Sequence, residues 1–227
     1  MANYINSPIL FESYVHLDAH FDDADDAHES LSQELHEYLQ ERAGHFLYDS
    51  VTTDVKFKEG SIKAYATVRG SLRKCLGPVY EDFSKEIYRL YWFSKRLSDA
   101  AVMEVTFRTG TYLKAIERTE ARPGIVGTTK RVIDAFLAIK QVENEKTALI
   151  VLRRIKLLPR AIKNLVDLLG YEEDVILIKT ECRELLKTTP KRLGSRFLSE
   201  ETEERYKDAI KKLADSIEEI DEPLDAS

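Results

Sequence analysis

The hydrophobic positions along this chain recur mainly every three or four residues, the spacing that buries one face of an α-helix. Such stripes occupy residues 31–39, 79–97, 102–116, 132–139, 175–185 and 206–220. Residues 148–152 are apolar on all sides, which predicts a helix buried on most of its surface or a short central strand. The pattern as a whole predicts a mostly α-helical protein, folded as a multi-helix bundle.

The period changes to two over residues 53–69, where apolar and polar residues alternate on both sides of Glu59-Gly60. This pattern predicts one β-hairpin with a two-residue turn and with one apolar and one polar face. An isolated hairpin is marginally stable in water, so we expect its apolar face to pack on helices of the same molecule or on another chain. Open edges would let it accept a strand from a partner or a second copy.

Residues 122–127 separate two of the helical stripes and contain Pro123 and Gly124. Because proline disfavours the helical conformation of the residue before it, and glycine accepts positive φ, we expect a tight elbow between two helices here. Pro159 lies within a later helical stretch and predicts either a kink or the first turn of a new helix.

Length and composition predict a single helical domain over residues 1–227. Within it we expect an acidic N-terminal arm at 1–27, the hairpin at 53–69 and a frayed C-terminal tail at 222–227. The net charge of −6 conceals a strong asymmetry. Residues 105–165 hold thirteen Lys/Arg and five Asp/Glu, whereas residues 1–50 hold one and eleven, and residues 198–227 hold four and eleven. Either the acidic ends pair with the basic middle, or a basic surface stays open to an anionic partner.

Candidate anion- or partner-binding residues follow from this charge layout. They are Arg118, Arg122, Lys130, Arg131, Arg153, Arg154, Lys156 and Arg160. The first four flank the predicted elbow, where guanidinium groups and free N–H groups at a helix start are able to hold an anion. The alternative is that the arginines pair with neighbouring glutamates on a solvated face.

The sequence contains only weak signals for a metal site or a catalytic site. His16, Asp18, His20 and Asp22 combine imidazoles and carboxylates, which are ligands for Zn²⁺, Mn²⁺ or Fe²⁺, but their spacing matches no defined motif. The alternative is an exposed acidic arm with incidental histidines. No phosphate-binding glycine loop, nucleophile elbow or paired-cysteine motif occurs, so we expect no cofactor. Cys75 and Cys182 are predicted to be buried small hydrophobic residues.

We therefore expect a non-catalytic protein-protein interaction module, acting as an adaptor, a regulator or a subunit of a larger assembly. The alternative is binding of nucleic acid or another polyanion through the basic segment 114–163, and a metal-dependent enzyme at the His/Asp cluster comes third. A homodimer through the C-terminal helix 200–220 or through the hairpin is also predicted. No apolar run is long enough for a transmembrane segment and no signal peptide is evident, so a cytoplasmic location is expected.

Overall fold

The computed structural model describes residues 8–18, 25–47, 51–58, 62–141, 145–193 and 199–220. These residues form seven α-helices and one four-stranded antiparallel sheet, and 66% of them are helical. The mostly α-helical prediction is confirmed, but the expectation of a bundle with a single hairpin is wrong, because two further strands complete a sheet. The internal contacts divide the chain into two compact units, Met1–Gly127 and Thr128–Ser227. The single domain over residues 1–227 stays a prediction.

The elements follow one another in a simple order. The strands are β1 (Ile9–Leu17), β2 (Val51–Lys58), β3 (Ile62–Gly70) and β4 (Ile116–Arg122). The helices are α1 (Asp25–Leu47), α2 (Leu72–Cys75), α3 (Phe83–Arg108), α4 (Gly124–Ile139), α5 (Glu145–Val166), α6 (Glu172–Lys187) and α7 (Glu200–Glu218). A short 3-10 turn at Leu113–Ala115 leads into β4.

The first unit has the strand order β2-β3-β1-β4, with every neighbouring pair antiparallel. The chain forms two β-α-β segments, β1-α1-β2 and β3-α3-β4. In the sheet, the two strands of each segment are separated by one strand of the other segment. This is the split β-α-β topology of ferredoxin-like folds. It places β1 and β3 at the centre of the sheet and β2 and β4 at its edges.

The predicted hairpin is present as β2 and β3. Val55 lies opposite Ala66, and the inward positions of both strands are buried as the alternation predicted. The expected turn at 59–60 lies outside the described residues. The register pairs Lys58 with Lys63, whereas a two-residue turn at those positions would place Lys58 opposite residue 61.

One face of the sheet packs against α1 and α3, and this layer forms the core of the first unit. Val15 of β1, Leu35 of α1 and Val105 of α3 are all buried there. The Ser13 hydroxyl donates a hydrogen bond to the Ser98 carbonyl at 3.2 Å, which joins the central strand to the middle of α3. The apolar face of the hairpin is therefore covered within the same unit.

The predicted helix over 102–116 is wrong. One helix, α3, begins at Phe83 after the Asp82 cap and ends at Arg108. Gly110, with φ of 61°, turns the chain away from the helix, and Tyr112 is 84% exposed where a buried position was expected. The predicted elbow at 122–127 consequently joins a strand to a helix, although Gly124 does have the expected positive φ, of 46°.

The predicted acidic arm at 1–27 contains β1, a central strand of the sheet. Seven of its nine positions are buried, so no apolar-polar alternation marks it in the sequence. Residues 1–7 and 19–24 of that arm lie outside the described residues, as does the predicted frayed tail at 222–227.

In the second unit the stripes of α4, α6 and α7 are mostly buried, and Phe136, Ile178 and Tyr206 are at most 1% exposed. Val175, Leu185 and Ile210 of these stripes are half-buried. Residues 148–152 belong to the helix α5, and Pro159 lies inside that helix. The apolar stripe of α7, predicted as a possible dimer contact, is buried within the chain, where α5 and α6 pack against it.

Two smaller expectations concern the membrane and the cysteines. None of the helices in the described ranges combines the length and the apolar character needed to span a membrane. Cys75 and Cys182 are free and buried, as predicted. Burial raises the pKa of the Cys182 thiol to about 12, so this side chain stays protonated and inert.

Candidate partner-binding surface

The predicted cations of β4 are paired within the sheet. Arg122 donates to Glu120 from Nε and to Glu12 from Nη1, both at 2.6 Å, and Arg118 pairs with Glu120. Burial alone would raise the pKa of Glu120, but the hydrogen bond from Arg122 and the charges of both arginines lower it. These groups form a network of ion pairs on the sheet face that α1 and α3 do not cover. This is the alternative in which the arginines pair with neighbouring glutamates.

The same face carries two tyrosines on the central strands. Tyr14 and Tyr65 lie opposite each other with ring centroids 4.8 Å apart, a placement that would suit base stacking if the rings were free. The Arg122 guanidinium lies 5.2 Å from the Tyr14 centroid and 6.0 Å from that of Tyr65. Tyr14 is only 7% exposed, and this burial raises its pKa. As arranged, the pair packs with Arg122 and presents no open stacking platform.

Lys130 and Arg131 lie on α4 and also have local partners. Lys130 Nζ is 2.6 Å from Asp134 Oδ2, one turn further along the helix. Arg131 Nη2 donates to the Thr128 hydroxyl at 3.0 Å. Neither cation extends freely from the start of the helix in the way that the predicted elbow required.

The remaining predicted cations lie on α5, which has an outer face of unusual composition. Lys146, Leu149, Arg153, Lys156, Arg160 and Lys163 follow one another at spacings of three and four residues. All six side chains are exposed, and Ile150 and Leu157 lie beside them. We refer to these eight residues as the α5 outer face. Arg154 is exposed at its flank.

Among the described residues, the cations of α5 lack the partners that other basic residues have. Within the described part of the chain, no ion pair or hydrogen bond involves the side chains of Lys146, Arg153, Arg154, Lys156, Arg160 or Lys163. By contrast, Arg108 pairs with Glu34 and Arg183 with Glu218. From Lys146 to Val166 the sequence contains six basic residues and no acidic one, so Glu145, at the first position of α5, is the single acidic residue of this helix.

Large apolar side chains interrupt this row of cations. Leu149, Ile150 and Leu157 are 49%, 47% and 57% exposed. Leu149 and Leu157 line an open groove of about 290 Å³ together with Leu152, Arg153, Lys156 and Arg205. Sequence analysis identified four of the cations but missed this apolar part, because the all-apolar run 148–152 predicts an almost wholly buried segment. Folding instead buries Ala148, Val151 and Leu152 and leaves Leu149 and Ile150 outside.

The candidate metal ligands can be located only in part. His16, near the end of β1, has its Nδ1 atom 2.9 Å from Glu117 Oε2, and Asp18 is exposed just beyond the strand. His20 and Asp22 lie outside the described residues. Among the residues that are described, no group of three or more His, Cys, Asp or Glu side chains is placed to hold a metal ion.

None of the family models, curated proteins or solved structures compared with this chain is similar to it.

Proposed function

We propose that this chain is a non-catalytic protein-protein interaction module whose α5 outer face binds an acidic, amphipathic segment of a partner protein. The observation that supports this most directly is the row of exposed cations, which form no ion pair with any described residue and are interleaved with Leu149, Ile150 and Leu157. Adaptor, regulator and assembly subunit are roles that such a module serves.

The chemistry of the face favours a protein over nucleic acid. Arg153 and Arg160 have planar guanidinium groups that match carboxylates in a bidentate way. The three exposed apolar side chains gain nothing from a phosphate backbone, whereas apolar residues of an amphipathic helix would remove them from water. From Lys146 to Lys163 the face extends over about 25 Å, enough for several turns of a partner helix.

Binding of nucleic acid or another polyanion is the second candidate. Within its predicted segment, 114–163, three of the cations already pair with carboxylates: Arg118, Arg122 and Lys130. The cations of α5 would then have to supply the binding. A metal-dependent enzyme at the His16 cluster comes third, and metal analysis of purified protein tests it.

Capture experiments with matched variants test the proposed function. The double variant Lys156→Glu with Arg160→Glu reverses two charges one helical turn apart on the α5 outer face. Lys207→Glu with Lys211→Glu makes the same change on exposed positions of α7 and serves as the control. We expect wild type and control to capture the same partner protein from nuclease-treated cell extract, and the α5 variant to lose it. A partner retained by the α5 variant would overturn the proposal.

A third variant separates protein from nucleic acid. Leu149→Ser with Leu157→Ser removes apolar contact area and leaves every charge in place. We expect it to weaken partner capture as well. Fluorescence anisotropy with labelled single-stranded DNA and RNA at low and moderate salt gives the comparison. Tight binding that falls steeply with salt and ignores the Leu149 and Leu157 changes would favour the polyanion alternative and contradict the proposal.

A further inference from the structure

The two edges of the sheet differ in how their backbone groups are satisfied. At the β2 edge, side chains of α1 supply the missing partners. Gln40 donates to the Val51 carbonyl and accepts from the Thr53 N–H, both at 2.9 Å. Ser32 donates to the Val55 carbonyl at 3.1 Å. This edge is closed, because each outward group named here already has a partner.

The described residues give the β4 edge no such cover. Glu117, Arg118, Thr119 and Ala121 are all exposed, whereas Val51, Thr53 and Val55 of β2 are buried. In the described part of the chain, no hydrogen bond from a neighbouring element reaches the Thr119 or Ala121 backbone. An open edge strand of this kind is a template for pairing with another strand.

The register of the sheet shows which β4 groups point outward. In antiparallel sheets, backbone groups of successive residues point to opposite sides of the strand. On β2 the backbone groups of Thr53 point outward, so the backbone groups of the even-numbered β2 residues point toward β3. The pairings Val55 with Ala66 and Ser13 with Ala66 carry this alternation across the sheet. On β4 the Glu120 backbone therefore faces Tyr14 of β1, and the Thr119 and Ala121 backbones face outward.

We propose that the β4 edge pairs with β4 of a second copy of this chain, antiparallel and with the two Thr119 residues opposite each other. Two sheets of four strands would then join into one sheet of eight. This inference concerns the first unit and does not depend on the function proposed for α5.

Charge complementarity supports a second copy and favours this register over the two adjacent ones. With Thr119 on the two-fold axis, Arg118 of each chain lies opposite Glu120 of the other, so both cross-strand pairs attract. A shift that centres the pairing on Arg118 opposes two arginines, and one centred on Glu120 opposes two glutamates. Charged residues usually keep an edge strand from pairing with other strands. The order Arg118-Thr119-Glu120, however, is complementary to itself in the antiparallel direction, and it disfavours strands with a different order of charges.

A charge-reversal experiment tests the pairing on the full chain. Arg118→Glu places a carboxylate opposite Glu120 of the second copy, and Glu120→Arg places two guanidinium groups opposite each other. We expect wild type to sediment as a dimer, and we expect each variant to raise the dimer dissociation constant by about tenfold or more. An equimolar mixture of the two variants should dimerise again, because each contact then joins opposite charges. Lys207→Glu on α7 is the control and should keep the wild-type dissociation constant.

Cross-linking tests the register directly. Thr119→Cys places two thiols opposite each other, with Cα atoms about 5.5 Å apart, within the range of a disulfide. Ala121→Cys is the matched control, since its two copies would lie about 13 Å apart along the strands. We expect mild oxidation to link the Thr119 variant and to leave the Ala121 variant unlinked. Wild type that stays monomeric at all concentrations, or equal cross-linking of both variants, would overturn the proposal.

Discussion

Glu12 on β1 lies directly opposite Arg122 on β4, and Arg122 Nη1 donates a hydrogen bond to Glu12 Oε1 at 2.6 Å. The Glu12 side chain is only 13% exposed. Its other oxygen accepts a hydrogen bond from Thr67. Glu12 therefore joins three strands through one carboxylate.

We predict that Arg122→Ala lowers the free energy of unfolding by about 1–3 kcal/mol, because it leaves a mostly buried carboxylate without its cation. Urea unfolding measures the change. Arg205→Ala removes the exposed pair with Glu201 and should cost less than about 0.5 kcal/mol. Equal losses from the two variants would show that the sheet network adds nothing beyond surface ion pairing.

Acid should weaken the same network through Glu120. Its arginine partners hold the folded-state pKa below the usual value of 4.5, so the Glu120 contribution is present at higher pH. That contribution is lost as pH falls through the lowered folded-state pKa. We predict that Glu120→Gln reduces the fall in unfolding free energy between about pH 5 and pH 3. Urea midpoints across this window test it, with Glu201→Gln on exposed α7 as the control. An unchanged slope in the Glu120 variant would contradict the prediction.

Gly124 is needed where β4 passes into α4. A Cβ atom there would lie 2.4 Å from the Ile9 carbonyl oxygen and 2.7 Å from that of Leu10. We predict that Gly124→Ala destabilises the chain by about 2 kcal/mol or more, because positive φ and a backbone clash act together. Gly110→Ala is a matched control: its φ is also positive, but no atom lies within 4 Å of the added Cβ. It should cost about 1 kcal/mol, and thermal unfolding that ranks the two equally would refute the clash.

Tyr206 of α7 is fully buried and donates its phenolic hydrogen bond to the Pro190 carbonyl. Tyr206→Phe keeps the ring but leaves that carbonyl without this donor. We predict a loss of about 1–2 kcal/mol in the free energy of unfolding, measured by urea titration. Tyr112→Phe, on a side chain that is 84% exposed, should change stability little. No loss at Tyr206 would mean that another group replaces the phenol.

Local patterns were enough to predict α1, α6, α7 and the β2-β3 hairpin. Each of these elements has its apolar stripe or its alternation within one stretch of sequence, so a short window contains the whole signal. The merging of two predicted helices into α3 was not predictable in this way. Separate stripes were predicted at 79–97 and 102–116, but Ser98, which lies between them, is inside α3, where its carbonyl accepts the hydrogen bond from Ser13.

The sheet itself required the folded structure. β1 is buried on both faces and shows no alternation, and β4 has Ile116 as its one large apolar residue. Both become strands through pairing with each other across about a hundred positions of sequence, as Glu12 does with Arg122. No window of sequence contains that relationship.

For charge, too, the sequence determines one part and the folded structure another. The residues alone show that the middle of the chain is basic and its ends acidic, because charge is a property of composition. Which cations are neutralised depends on distance in space. Folding brings Glu12 to Arg122 and Glu34 to Arg108, and it leaves the cations of α5 without an ion pair among the described residues. Coulomb energy falls off with separation, so only the tertiary arrangement decided which cations of the described residues keep a carboxylate within reach and which do not.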